Sequence, residues 1–176
     1  MSFRILVLNL ILSMGTNTIL GSNLLAADTT GSRAISSEVS EIGEERFVSP
    51  DYKPGLIRHI VLFRYNESVS PLLKLQIRNR FLALSNLCQR NGRPYILSIE
   101  TGSQNSGEGV DQNFEQAFIV TFKSEGDRNY YVGRGIVNKP GNFDIAHDEF
   151  KSFVGQFLRN PIDPSGVLVF DFKVNN

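Results

Sequence analysis

Residues 56–65, LIRHIVLFRY, carry branched or aromatic side chains on both faces of an extended chain. Ile57, His59, Val61, Phe63 and Tyr65 fall on one side, and Leu56, Arg58, Ile60, Leu62 and Arg64 on the other. A strand of this kind suits the middle of a sheet and needs cover on both sides. After a turn at 66–70, Ser70-Pro71 supplies a capping hydroxyl and a first-turn proline. Leu73, Ile77, Phe81, Leu84 and Cys88 then recur at helical spacing, and Asn91-Gly92 followed by Pro94 ends the helix. Residues 95–101 read as a second strand. Residues 114–123 read as a third, with Phe114, Phe118, Val120 and Phe122 on one face. The glycine-rich stretch between them, 102–113, precedes a strand rather than a helix, so it is a wide connection and not a phosphate cradle. Ser124 opens a short helix through Tyr130 and Tyr131, which the sequence GRGIVNKPGN at 133–142 breaks. Asp144 caps a further helix with the stripe His147, Phe150, Val154 and Phe157. A turn at 160–166 leads to a last strand at 167–174.

The order strand, helix, strand, strand, helix, strand predicts an α+β, ferredoxin-like domain over residues 56–174. Right-handed crossovers put both helices on one face of a four-stranded antiparallel sheet. No helix is left for the other face, although strands one, three and four are apolar there too. The economical cover is the sheet of a second copy, giving a homodimeric α+β barrel. The competing cover is the amino-terminal segment folding across that face. Residues 28–55 are rich in Ser, Thr, Glu and Gly and read as a flexible linker. A short helix at 37–46 would have little to pack on.

Composition changes this picture only in part. Of the 176 residues, 41% are hydrophobic, enough for a core, and the formal net charge of zero gives no sign of a nucleic-acid partner. The single cysteine, Cys88, rules out a disulfide within the chain and reads as a small buried hydrophobe. Arg4, the apolar run at 5–14 and Leu25-Ala26-Ala27 before Asp28 predict a signal peptide at 1–27, so the mature chain is expected to be exported, periplasmic or secreted, with no membrane attachment after cleavage. An uncleaved anchor is the alternative. Asn66-Glu67-Ser68 is a glycosylation sequon that matters only in a host that glycosylates.

Four stretches together resemble the stress-responsive A/B barrel family, also called Dabb: His59-Ile60-Val61-Leu62-Phe63, Glu108-Gly109 ahead of residues 114–122, Ala146-His147-Asp148-Glu149-Phe150, and Val169-Phe170-Asp171-Phe172. Each piece is weak alone, and the combination is specific. The resemblance implies a dimeric α+β barrel and leaves the reaction open, because most bacterial members have none assigned. In cyclase-like members the histidine matching His147 acts as a base, and the tyrosine matching Tyr131 orients the substrate carbonyl. The histidine matching His59 lines the same pocket. Two departures stand out. The first histidine of the family's His-Pro-Ala-His run is Asp144 here, and about ten additional residues, 133–142, separate Tyr131 from His147. Those residues could form a lid over the pocket mouth.

His59 and His147 are the only histidines, and both sit on expected core faces. If both face the helices, they line one cavity, where an imidazole can move protons near neutral pH. Each also has a structural reading, as a core histidine satisfied by a backbone carbonyl or a tyrosine. Tyr131 has one too, as a packed aromatic. The candidate site is therefore His147 and Tyr131 for catalysis, with His59, Phe63, Phe118 and Phe150 lining a pocket for a small apolar molecule. Asp171 is expected to pair with Arg58 or Arg64 across the sheet. Two histidines with Asp144 or Asp148 match no strong metal signature, so no metal or other cofactor is expected. Three function classes follow: a small-molecule binder, a cofactor-free lyase, cyclase or isomerase with His147 as base, and a purely structural stress-protective oligomer.

Overall fold

The computed structural model describes residues 30–159 and 166–175. The expected signal peptide, and all but the last residue of the expected 160–166 turn, lie outside them. In chain order the elements are α1 (Thr30–Ile42), α2 (Glu44–Phe47), β1 (Pro54–Phe63), α3 (Pro71–Leu87), β2 (Gln89–Arg90), β3 (Arg93–Pro94), β4 (Ser98–Ser103), β5 (Gln116–Ser124), α4 (Glu125–Val132), α5 (Ile145–Gly155) and β6 (Val167–Lys173).

The main sheet has the order β4-β5-β1-β6, with every neighbouring pair antiparallel. This is the ferredoxin-like arrangement expected from the order of elements. Strand β1 is central because it is apolar on both faces, as its sequence requires. Its register sets the site: His59 lies opposite Val120 on one side and Asp171 on the other.

The helices cover the face that carries Ile57, His59, Val61 and Phe63. Helix α3 starts where Ser70 Oγ accepts the Leu73 N–H at 3.2 Å, and it buries Ile77, Phe81 and Leu84. Phe81 stacks on Phe118 with centroids 3.8 Å apart. The helix ends at Cys88, a few residues before the expected stop. Asn91-Gly92, at φ 52° and 72°, instead turns the small β2–β3 hairpin. Strand β4 begins at Ser98 rather than 95, because Tyr95 and Ile96 are drawn into the core ahead of it.

The segment expected to be a flexible linker is not one over its described residues. Helices α1 and α2 occupy much of 30–55, and Phe47, Val48 and Tyr52 are buried. What they pack on was not visible as a partner in the sequence. It is the 133–143 connection, whose Val137 and Phe143 form a second apolar cluster with them. Residues 30–55, the described part of this segment, therefore do not cross the open face of the sheet.

That open face carries two apolar rows across the strands and a third, mostly polar, that ends in Phe172. Leu62 lies beside Ala117 and Leu168, Ile60 beside Ile119 and Phe170, and Arg58 beside Thr121 and Phe172. Phe170 is 59% exposed, and Leu168 and Phe172 are exposed with it. Among the described residues no helix is long and apolar enough to cross a membrane.

Candidate functional site

Three aromatic rings meet between the sheet and the helices. His59 comes from the middle of β1, Tyr131 from the last turn of α4 and His147 from the first turn of α5. Helical spacing and capping put the last two there. Ser124 Oγ accepts the Asp127 N–H at 3.0 Å to start α4, and Asp144 Oδ1 accepts the His147 N–H at 2.9 Å to start α5. The intervening residues 133–142 do not part the two rings, because Asp144 N–H returns to the Tyr130 carbonyl at 3.0 Å. Tyr131 and His147 stack with centroids 3.6 Å apart and planes 16° from parallel. His59 meets the Tyr131 ring edge-on at 5.6 Å.

The protonation pattern follows from the partners. A backbone carbonyl can only accept, so the 2.5 Å contact between His147 Nδ1 and the Tyr131 carbonyl puts the proton on Nδ1 and leaves Nε2 as the acceptor. Burial pushes the His147 imidazole down to about 3; the Tyr131 carbonyl opposes this, and the charges of Lys151 and His59 add to it. The ring is neutral throughout the physiological range. His59 Nδ1 contacts Asp171 Oδ1 at 2.6 Å, and Arg128 donates to Asp171 Oδ2. Burial raises the Asp171 carboxyl, but the His59 hydrogen bond and charge together with the Arg128 guanidinium outweigh it. The net effect holds the group below its ordinary value.

Asp171 thus pairs differently from the expectation that joined it to Arg58 or Arg64. Strand parity is the reason: Asp171 and His59 are cross-strand partners on the helix-covered face, whereas Arg58 points to the other. Counting alternate residues from His59 and Asp171 would have found this. Arg128 was also missed, although it lies three residues before Tyr131 on one helix and so shares its face.

The Tyr131 hydroxyl, unlike the other groups of this site, is left bare. Its residue is 1% exposed, and the oxygen has no hydrogen-bond partner among the described residues. Burial, followed by the Cys88 and Asp144 charges, raises its pKa well above the ordinary tyrosine value, so it stays a donor. A buried hydroxyl without a partner costs about 1–3 kcal/mol.

Of the expected pocket residues, Phe63 and Phe118 are core, packed on each other at 5.3 Å. Phe150 is different. It contacts Phe81 at 5.2 Å and also lines a 270 Å³ depression between α3 and α5 with Leu84, Leu87 and Phe153. Phe150 and Leu84 are thus core residues that also meet this depression. A 190 Å³ depression reaches Arg128 and Asp171 from the opposite side. The clearest depressions are not lined by His59, Tyr131 or His147. One of them, about 650 Å³, is lined mostly by polar side chains, among them Arg64, Lys74 and Glu115, with Lys74 and Glu115 paired to each other. Among the described residues no group of three or more His, Cys, Asp or Glu side chains is placed to hold a metal ion.

The model of the stress responsive A/B barrel domain family matches residues 57–174. No curated protein matches the chain in sequence. Among solved structures the chain is similar to a protein of Arabidopsis thaliana at 22% identity and a TM-score of 0.53, over 68% of this chain and 96% of that one. It is also similar to a dimeric ferredoxin-like protein of unknown function from Jannaschia sp. CCS1, at 17% identity and a TM-score of 0.51, over 68% of this chain and all (100%) of that one. A hydroxynitrile lyase from Passiflora edulis is 21% identical over 69% of this chain and 95% of its own, with a TM-score of 0.49. At these identities the likeness is one of fold.

Proposed function

The chain belongs to the stress-responsive A/B barrel domain family, and from that premise we propose that it is a homodimeric domain binding a small apolar molecule through one polar atom set against Tyr131. The observation that carries this reading is the buried Tyr131 hydroxyl with no partner. A ligand oxygen that accepts its proton removes the cost of leaving it bare, and the surrounding Phe122, His59 and His147 rings supply apolar contact. Entry requires side chains to move, and Phe150 lies one helical turn from His147 at the floor of the depression between α3 and α5. The homodimer is argued from the exposed apolar sheet face. The similar Jannaschia protein is described as dimeric. The reading also has the mature chain exported, on the strength of its amino-terminal sequence, which fractionation of the host cells tests.

The stacked Tyr131–His147 pair favours a second reading, a cofactor-free lyase, cyclase or isomerase with His147 as base. His147 Nε2 has its lone pair available, but an imidazole whose pKa lies near 3 is a weak base at neutral pH. Binding without turnover is therefore the better fit.

The test is to incubate the protein with a metabolite extract, remove free compounds by dialysis and identify what stays bound by mass spectrometry. A retained small molecule that is lost from Tyr131→Phe supports the reading. Equal retention by the variant, or no retained compound at all, counts against it. Once the molecule is known, His147→Ala separates the two readings, because lost turnover with retained binding identifies an enzyme.

A further inference from the structure

The four-residue helix α2 bonds both to α4, which carries Tyr131, and to the connection that leads into α5, and it lies ahead of the family-matched residues 57–174. On one side, Asn129 Nδ2, two residues before Tyr131, donates to the Phe47 carbonyl at 2.8 Å. Asn129 is fully buried, so this bond is sealed from water. On the other side, Asn142 Nδ2, two residues before the Asp144 cap of α5, donates to Glu44 Oε2 at 3.3 Å. The same carboxylate accepts the backbone N–H groups of Asn138 at 3.0 Å and Lys139 at 2.9 Å. These bonds hold the Glu44 carboxyl below its ordinary value. Beneath them Val137 is fully buried against the Phe47 cluster.

The connection needs such a partner. Residues 133–144 contain no helix or strand and include glycines at φ 62°, 104° and 93°. A stretch of this composition keeps much conformational freedom unless something outside it holds it. Its two ends carry the two stacked rings, so freedom in the connection becomes freedom in the stack.

We infer that α2, through Glu44 and the Phe47 carbonyl, is the positioning element that holds Tyr131 against His147. The family core supplies the rings and the direct bonds between their segments, and the amino-terminal segment restrains the connection that would otherwise loosen them. This stands whether the stack serves binding, catalysis or neither.

The experiment uses the full chain labelled with nitrogen-15 histidine. Only two histidines exist, so two imidazoles are observed, and His59 is the internal control. The titratable or charged groups facing His147 are Asp144 at the cap of its helix, Lys151 on that helix, His59 on β1, Tyr131 on α4 and Cys88 at the end of α3, and Glu44→Ala alters none of them. In the wild type the His147 ring stays neutral from about pH 8 to about pH 5, well below the ordinary histidine value. In Glu44→Ala water reaches the ring, and its midpoint rises by about one pH unit or more. Lys139→Ala removes only the surface pair between Lys139 and Glu45 and leaves the midpoint where it was. An unmoved midpoint in Glu44→Ala overturns the inference, because a structural brace elsewhere in the fold would lower stability without exposing His147. An equal shift in Lys139→Ala overturns it as well. Should Glu44→Ala fail to fold, Asn142→Ala removes the α5-side bond alone, and the same shift or its absence decides.

Discussion

The imidazole of His147 lies flat on the phenol ring of Tyr131, 3.6 Å between centroids, and gives its Nδ1 proton to the carbonyl of that same tyrosine. The histidine is thus held twice by one residue, through ring and backbone. Its remaining nitrogen, Nε2, is left as a buried acceptor. Such an environment rejects a second proton, which makes the ring a source of pH dependence in stability.

Folded His147 takes up a proton only near pH 3, while the unfolded side chain does so near 6.5. The stabilising contribution is therefore complete above about 6.5 and is lost as pH falls toward 3, at up to about 1.4 kcal/mol per pH unit. Between about pH 6.5 and pH 5 most carboxylates have not begun to titrate. His147→Phe should flatten the profile in that window. Urea unfolding at a series of pH values measures it, and an unchanged slope would contradict a buried neutral imidazole.

Asp171 sits between His59 and Arg128 and satisfies both. Asparagine keeps its shape but removes the charge that Arg128 needs. Arg128 is only 12% exposed, so its guanidinium would be left largely without compensation. The predicted loss for Asp171→Asn is about 2–3 kcal/mol in denaturant unfolding. Arg128→Gln added to Asp171→Asn should cost much less than the two single losses combined. Additive losses would show that the pair is not coupled.

Much of the fold was legible because periodicity reports burial directly. The both-sided strand at 56–65 became the central β1, and the stripe His147, Phe150 and Val154 became the inner face of α5. The Asn91-Gly92 pair was misread because the same dipeptide ends helices and turns hairpins, and only the pairing of Gln89 with Pro94 separates the two. The short helix considered at 37–46 was set aside, where α1 and α2 stand, because their partner, Val137 and Phe143, lies about ninety residues away in a stretch that itself reads as loop. Neither half has a sustained apolar period, and each is ordered by the other. At the site, the three rings were found by residue type. Asp171 was noted but given the wrong partner, which strand parity would have corrected, and Arg128 was passed over although it shares the helical face of Tyr131.

The open sheet face gives a prediction for assembly. Phe170 stands among Ile60, Ile119, Leu168 and Phe172, exposed enough to be at the centre of a contact. Wild-type protein should sediment as a dimer at micromolar concentration. Phe170→Asp should sediment as a monomer with an unchanged far-ultraviolet dichroism spectrum, because the substituted ring makes no contact with the helix-covered core. A wild-type monomer would remove the sheet face from the account of assembly.

Tyr131→Phe tests the bare hydroxyl of the site. Removing a hydrogen-bonded buried hydroxyl ordinarily destabilises, because its partner is left bare as well. Here no partner exists among the described residues, and the oxygen only forfeits its hydration. Deleting it should therefore leave the ligand-free protein as stable as before, or more stable by about 1 kcal/mol. The ring stack on His147 survives, since it uses only the carbon frame and the backbone carbonyl of residue 131. A fold that depended on this oxygen would lose stability in the variant. A site that keeps the oxygen for an incoming acceptor would not, and would show its loss only in what the protein retains. Thermal unfolding of the two proteins side by side distinguishes these cases. A drop of several degrees in the phenylalanine variant would mean that the hydroxyl already has a partner, a bound water for instance, and is not waiting for a ligand.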